Sequence, residues 1–210
     1  HIPIGGPIGR GLGKFEKGAG AVDAEDVIEE IDEAEAADQV VALLCDIDSP
    51  GGMFSGTPEL ADRIARCEKP VYAFTAGMMC SAAYWLACAC DFVCATKSAD
   101  IGSIGVYCAL LDTSKRYEQA GIKVEVITSG KYKGAGVPGT SLTADHRANL
   151  QERIDEMALM FYGHVLTNRP DSSTEDMQGQ VFKAEAAFGK GLIDMVVRDK
   201  DEAVALLIGG

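Results

Sequence analysis

An α/β fold on a largely parallel sheet is predicted for this chain of 210 residues by three observations. Apolar runs of strand length alternate with helix-length amphipathic segments along the whole sequence, which calls for crossover connections between strands. One run, Gln39 to Asp48, is apolar almost without interruption, as expected of a strand covered on both faces. A hydrophobic content of 47% fills one sizeable core, and two independent domains are not expected, so residues 1–210 read as a single domain.

The elements follow in order. "HIPIGGPIGRGLG" is a short apolar strand and a glycine-rich loop. "DAEDVIEEIDEAEAAD", residues 23–38, puts Val27, Ile28 and Ile31 on one helical face with Asp23 as N-cap and the acids on the solvated side. "QVVALLCDID" is the doubly buried strand, and "SPGG" stops it. Thr57 as N-cap and Pro58 in the first turn open a helix to about Cys67. "KPVYAFTAG" is a second buried strand, followed by a helix from near Ser81. "DFVCAT", "SIGVYCALL" and "KVEVITSG" read as further strands, with "TSKRYEQAG" a helix closed by Gly121. After the mobile-looking "KYKGAGVPGTSLT", Thr143 caps a long helix from Ala144 to about Asn168. "QVFKAEAAFGKGLIDMVVRD" gives strand, helix, glycine stop and strand, and residues 201–208 a last short helix.

A net charge of −13 repels phosphate backbones and anionic membrane surfaces, so nucleic acid is not an expected partner. No stretch reaches the roughly 18 to 20 uncharged apolar residues of a spanning helix. The longest candidate, Val71 to Leu86, is rich in small residues. The segment therefore reads as soluble and cytoplasmic, while the chain's start at His1 leaves an upstream membrane anchor open. Seven cysteines, at 45, 67, 80, 88, 90, 94 and 108, are an odd number set in apolar runs, which favours free thiols in a reducing compartment. The spacing of Cys88, Cys90 and Cys94 matches no zinc pattern, and no metal or other cofactor is expected.

Ser81 follows a strand and a short turn and sits at a predicted helix start, where free N–H groups favour an anion. That suits an acyl-transfer nucleophile, and it equally suits a capping or packing serine. "DSPGG", Asp48 to Gly52, ends a buried strand with two glycines. It is either a type II turn or a loop whose N–H, paired with that of Ala82, forms an oxyanion hole. His1, His146 and His164 have no strong claim to the role of base. Lys131 and Lys133, in "SGKYKGAG", are alternatives, since a desolvated lysine can act as a base. Met78, Met79 and Cys80 are expected to line the pocket beside the scissile bond, and Tyr84 and Trp85 to pack in the core.

Together "DSPGG", "SAAYWLA" at 81–87, "GSIGV" at 102–106, "SGKYK" at 129–133 and "GLID" at 191–194 resemble, in order, the S49 peptidases. That family comprises signal peptide peptidase A and the phage prohead proteases, within the Clp-protease and crotonase fold group. The resemblance implies a ClpP/crotonase-like ββα superhelix. It also implies a serine endopeptidase with Ser81 as nucleophile, Lys133 as base and Ser103 holding the lysine amine. Gly52 and Ala82 would then be the oxyanion donors, with Gly51 a possible substitute for Gly52. It further implies protein or peptide substrates and a homo-oligomeric ring whose sites take serine and lysine from adjacent chains. Ala82 and Ala83 stand where the wider family often has glycines, and "SAAYW" tilts the resemblance toward phage proteases acting on capsid or scaffold proteins. A crotonase-type acyl-CoA enzyme and a catalytically silent scaffold of the same fold are the alternatives.

Overall fold

The structure, a computed structural model, describes residues 1–209. The chain forms two compact units, one of residues 1–105 with the chain from Phe161 onward, the other of Val106–Met160. The elements are β1 (Ile2–Gly5), β2 (Ile8–Gly9), α1 (Lys14–Gly18), β3 (Val22–Asp23), α2 (Ala24–Ala36), β4 (Leu43–Asp48), α3 (Thr57–Ala65), β5 (Val71–Thr75), β6 (Met78–Cys80), α4 (Ala82–Cys88), β7 (Phe92–Thr96), β8 (Asp100–Gly102), α5 (Ser114–Gln119), α6 (Ala144–Asn168), β9 (Val181–Lys183), α7 (Ala184–Gly189), β10 (Met195–Val197) and α8 (Lys200–Gly209).

In the larger unit the first sheet has the order β1-β4-β5-β7-β10, every pair parallel. Its central register sets Cys45 beside Ala73 and Ala73 beside Val93, all fully buried, because small and β-branched residues let helices close over both faces. A parallel pair β2-β3 and a three-stranded sheet β6-β8-β9 complete the strands, with β9 antiparallel to β8. The protein is thus α/β with a mostly parallel sheet.

Two side chains fasten the layers. Asp23 is buried, caps α2 by accepting from the Glu25 N–H at 3.1 Å, and also accepts from Leu12 N–H at 2.6 Å and Gly11 N–H at 3.3 Å. Burial pushes its carboxyl up, but these three N–H groups and Lys17 hold it below the ordinary carboxylate value. Asp194 of "GLID" accepts from the Val93 N–H at 2.7 Å and from Arg169 Nη1 at 2.9 Å. It therefore joins the chain after α6 to the approach of β10 along β7.

Aromatic packing anchors α4. Trp85 stacks on Phe161 at 4.6 Å and on His164 at 5.6 Å, and the Tyr84 hydroxyl donates to the Leu192 carbonyl at 2.7 Å. Both α4 aromatics are core residues, as expected. His164 Nε2–H donates to the Trp85 carbonyl at 3.0 Å, and burial holds its imidazole below the ordinary value. All seven cysteines are free thiols and five are buried. No helix among the described residues is long and apolar enough to cross a membrane.

Three sequence expectations are corrected. The N-cap of α3 is Gly56, in the left-handed region at φ 92°, because the Thr57 hydroxyl donates to the Met53 carbonyl at 2.7 Å from inside the helix. Residues 103–111 and 123–130 form no strand, although both were expected to. A strand exists only where an edge pairs with it. Tyr107 and Ile127, both in the smaller unit, are 88% and 97% exposed.

Asp23 yields a stability prediction. Its folded pKa is lowered, so its contribution is complete above the unfolded carboxylate value and is lost as pH falls through the folded one. Asp23→Ala should cost on the order of 2 kcal/mol at neutral pH in urea unfolding and flatten the acid limb of the stability profile. An unchanged acid limb would show that Asp23 is not the titrating latch.

Candidate active site

The site begins with two strand ends. β6 and β8 run parallel with Cys80 opposite Gly102, so Ser81 and Ser103 leave adjacent strands side by side. The Ser81 N–H donates to the Gly102 carbonyl at 2.8 Å, and the Ser103 N–H donates to the Gln180 carbonyl at 2.6 Å. Ser81 (φ 54°) and Ser103 (φ 50°) are the two non-glycine residues with positive φ among the described residues. Such conformations cost about 1 to 3 kcal/mol each and persist only where surrounding contacts enforce them. A capping serine has extended backbone and accepts an N–H of the first turn. Ser81 does neither, and stands at a sharp elbow between β6 and α4.

The "DSPGG" loop is packed against that elbow. Asp48 Oδ1 accepts from the Met78 N–H at 3.0 Å, the Ser49 N–H donates to the Met78 carbonyl at 2.8 Å, and the Cys80 N–H donates to the Ser49 carbonyl at 3.2 Å. Gly51, at φ +100°, is so close that a Cβ there would lie 2.6 Å from Ser81 Cβ and 2.9 Å from the Ala82 nitrogen. On the loop's other side the Ile8 N–H donates to the Gly51 carbonyl at 2.9 Å and the Met53 N–H to the Ile8 carbonyl at 2.8 Å. A Cβ at Gly52 would fall 1.9 Å from the Ile8 carbonyl oxygen. Only glycine fits at either position.

This clamp decides which donors are open. The Gly51 N–H is engaged by Ser49 Oγ at 3.1 Å. The Gly52 N–H and the Ala82 N–H have no acceptor among the described residues. In the parallel bridge between Ile8 and Gly52, the groups of Gly52 itself face away from β2. Ala82 opens α4, where an N–H has no intrahelical acceptor.

The neighbours of Ser81 differ in what they expose. Met78 is 39% exposed, whereas Met79 lies in the core and Cys80 is buried with its thiol toward the Asp100 carbonyl at 3.6 Å. Period-2 alternation in β6 turns Met79 away from the surface that Met78 faces. Met53, the residue after Gly52, is 57% exposed and was not among the expected pocket residues. Burial first, and the Asp100 charge second, push the Cys80 thiol up to about 11. It stays protonated near neutral pH and does not compete with the adjacent serine as a nucleophile.

The two candidate lysines belong to the smaller unit. Lys131 Nζ lies 4.6 Å over the Tyr132 ring and 3.6 Å from Asp145 Oδ2. Its amine is pushed up first by the Tyr132 hydroxyl and then by the Asp145 charge, which unfits it for service as a base. Lys133 is exposed, makes no ion pair among the described residues, and donates its N–H to the Gly130 carbonyl at 3.0 Å.

An α/β chain with a strained serine elbow beside a glycine clamp is the class that fold and site define. The sequence profile of Peptidase family S49 matches residues 63–207, and the chain belongs to this family of serine-type peptidases. It is 32% identical over 204 residues to the head-tail preconnector protein of Enterobacteria phage P21, and 32% identical over 204 residues to the capsid assembly protease C of Escherichia phage lambda. Each of these alignments covers 95% of this chain. It is 31% identical over 184 residues, 85% of the chain, to a putative protease of Methanocaldococcus jannaschii. The chain spans 41%, 46% and 59% of the lengths of these relatives, respectively.

The clamp predicts a contrast between glycines. Gly51→Ala must displace either the loop or the elbow, because the new methyl meets Ser81 and the Ala82 backbone. A loss on the order of 2 kcal/mol or more is expected in chemical unfolding. Gly5→Ala, with nothing within 4 Å of its Cβ, should be neutral within about 1 kcal/mol. Equal effects of the two substitutions would contradict the clamp.

Proposed function

We propose that the chain is a serine endopeptidase with Ser81 as nucleophile and Lys133 as general base. The observation that carries this reading is the positive φ of Ser81 on an elbow pressed against Gly51, a strain that a packing or capping serine has no reason to bear. Ser81 Oγ adds to the scissile carbonyl while the neutral Lys133 amine takes its proton. The Gly52 and Ala82 N–H groups donate to the oxyanion, each worth about 3 kcal/mol. Collapse breaks the C–N bond, and the Lys133 ammonium protonates the leaving amine. A water that gives its proton to the same amine then cleaves the acyl ester and restores Ser81. Ser103 orients the lysine amine, and the exposed Met53 and Met78 favour an apolar substrate side chain.

The fold proposed for the whole chain, taken as one peptidase domain, is the ββα superhelix of the Clp-protease and crotonase group. A repeating order supports it: a strand of the large sheet, a short strand or bridge outside it, then a helix. The order occurs as β5, β6, α4 and as β4, the bridges at Ser49 and Gly52, α3. A lysine acts as base only where water is excluded, yet Lys133 is exposed. We assign that exclusion to a neighbouring protomer in a head-to-tail ring, with serine and lysine of each site from adjacent chains. The substrates proposed are capsid or scaffold proteins in a host cytoplasm, a reading supported by the name of the lambda relative.

Ser81→Ala and Lys133→Ala should each lower peptide hydrolysis at least about a thousandfold with the fold retained, and Lys131→Ala should not. A fluorophosphonate should label Ser81 of the parent protein. Turnover in pure Ser81→Ala protein overturns the nucleophile, and activity lost in Lys131→Ala but kept in Lys133→Ala overturns the base. Mixed Ser81→Ala and Lys133→Ala chains, once subunits exchange, should recover roughly a quarter of the sites. No recovery after demonstrated exchange would place each dyad within one chain.

A further inference from the structure

The turn that carries Lys133 has few attachments. It contains no helix or strand, and Lys131, Tyr132 and Lys133 are all exposed. The Lys131 ion pair with Asp145, at 3.6 Å and more than half exposed at both ends, is a weak strap. The stronger one is His146. Its backbone is fixed in the first turn of α6, where its N–H donates to the capping hydroxyl of Thr143 at 3.1 Å. From there the ring reaches back to the turn, with Nε2 2.9 Å from the Lys131 carbonyl oxygen. A carbonyl only accepts, so Nε2 carries a hydrogen and donates it. That Nδ1 is buried without a partner. A buried ring nitrogen left unpaired costs stability, so the ring is better explained by the one bond it makes than by its contribution to packing.

The geometry points to His146 as a positioning residue for Lys133. Its N–H holds the peptide two residues before the lysine against the helix start, so that the amine is offered from one position instead of many. The inference rests on Lys133 being the base and adds the group that places it. Misplacing a reacting group by about 1 Å can cost about a hundredfold in rate, so the bond should register in the chemical step and not in binding.

The test follows the rate at which a fluorophosphonate labels Ser81 in the full chain, separating the maximal rate from the concentration that gives half of it. His146→Ala should lower the maximal rate about 10- to 100-fold and leave the half-saturating concentration within about twofold. His146→Gln, whose amide N–H takes the place of Nε2–H, should recover to within about threefold of the parent, whereas His146→Asn, which places its amide near Nδ1, should behave as His146→Ala. The Gln and Asn pair decides the matter if the Ala variant does not fold. Parental labelling in His146→Ala, or Gln no better than Asn, overturns the positioning role while slow Lys133→Ala leaves the dyad standing. Full-rate labelling in Lys133→Ala overturns the dyad, and this inference with it.

Discussion

The contact between Gly51 and the Ser81 elbow is the constraint on which the rest of the site depends. The loop from Asp48 to Met53 is held on one side by Ile8 of β2 and on the other by the backbone of β6. Between these it has no room for a side chain at Gly51 or Gly52. Hydrogen bonds to Ile8 turn the amides of Gly52 away from β2, and Ser49 Oγ engages the neighbouring amide of Gly51. An open donor therefore arises from sheet geometry, at the boundary where one strand ends and a helix begins.

Strain at the elbow has to be balanced by the packing around it. Ser81 is held from below by the Gly102 carbonyl and from the helix side by α4, every residue of which is buried. Tyr84 and Trp85 are the largest side chains of α4; the Tyr84 hydroxyl donates to the Leu192 carbonyl, and the Trp85 carbonyl accepts from His164 Nε2–H. The aromatic pair thus serves the serine at one remove. It keeps the helix start from relaxing, which is how a core can maintain a conformation that local energetics disfavour. Asp194 does similar work at the sheet edge, so the "GLID" motif is architectural in its contacts.

Much of this was legible in the sequence, for identifiable reasons. The apolar run at 39–48 marks a doubly covered strand, although only Leu43–Asp48 of it pairs and Val41 is exposed, and Asp23 and Thr143 cap helices where a short polar side chain precedes an amphipathic run. Adjacency was harder to read. That Met78 is exposed while Met79 is buried follows from β6 alternation, which is not visible before the register is known. The strand-like pattern of residues 103–111 and 123–130 misled because periodicity states which side chains could share a face and says nothing of whether an edge is there to pair with. Gly51 and Gly52 could have been either a turn or a cradle until their neighbours were known.

The distinction between Lys131 and Lys133 completes the physical picture. Two residues apart, they share a turn, a charge and exposure, yet their surroundings differ. Lys131 is committed to Tyr132 and Asp145, contacts that stabilise its ammonium form and raise its pKa. Its backbone carbonyl is meanwhile taken by His146, so both ends of that residue are used in fastening the turn to α6. Lys133 has no ion pair of its own among the described residues. The Lys131 ammonium thus has two partners that favour its charged form, and the Lys133 side chain has neither of them. Two lysines in one turn are therefore told apart by their contacts and not by their charge or exposure.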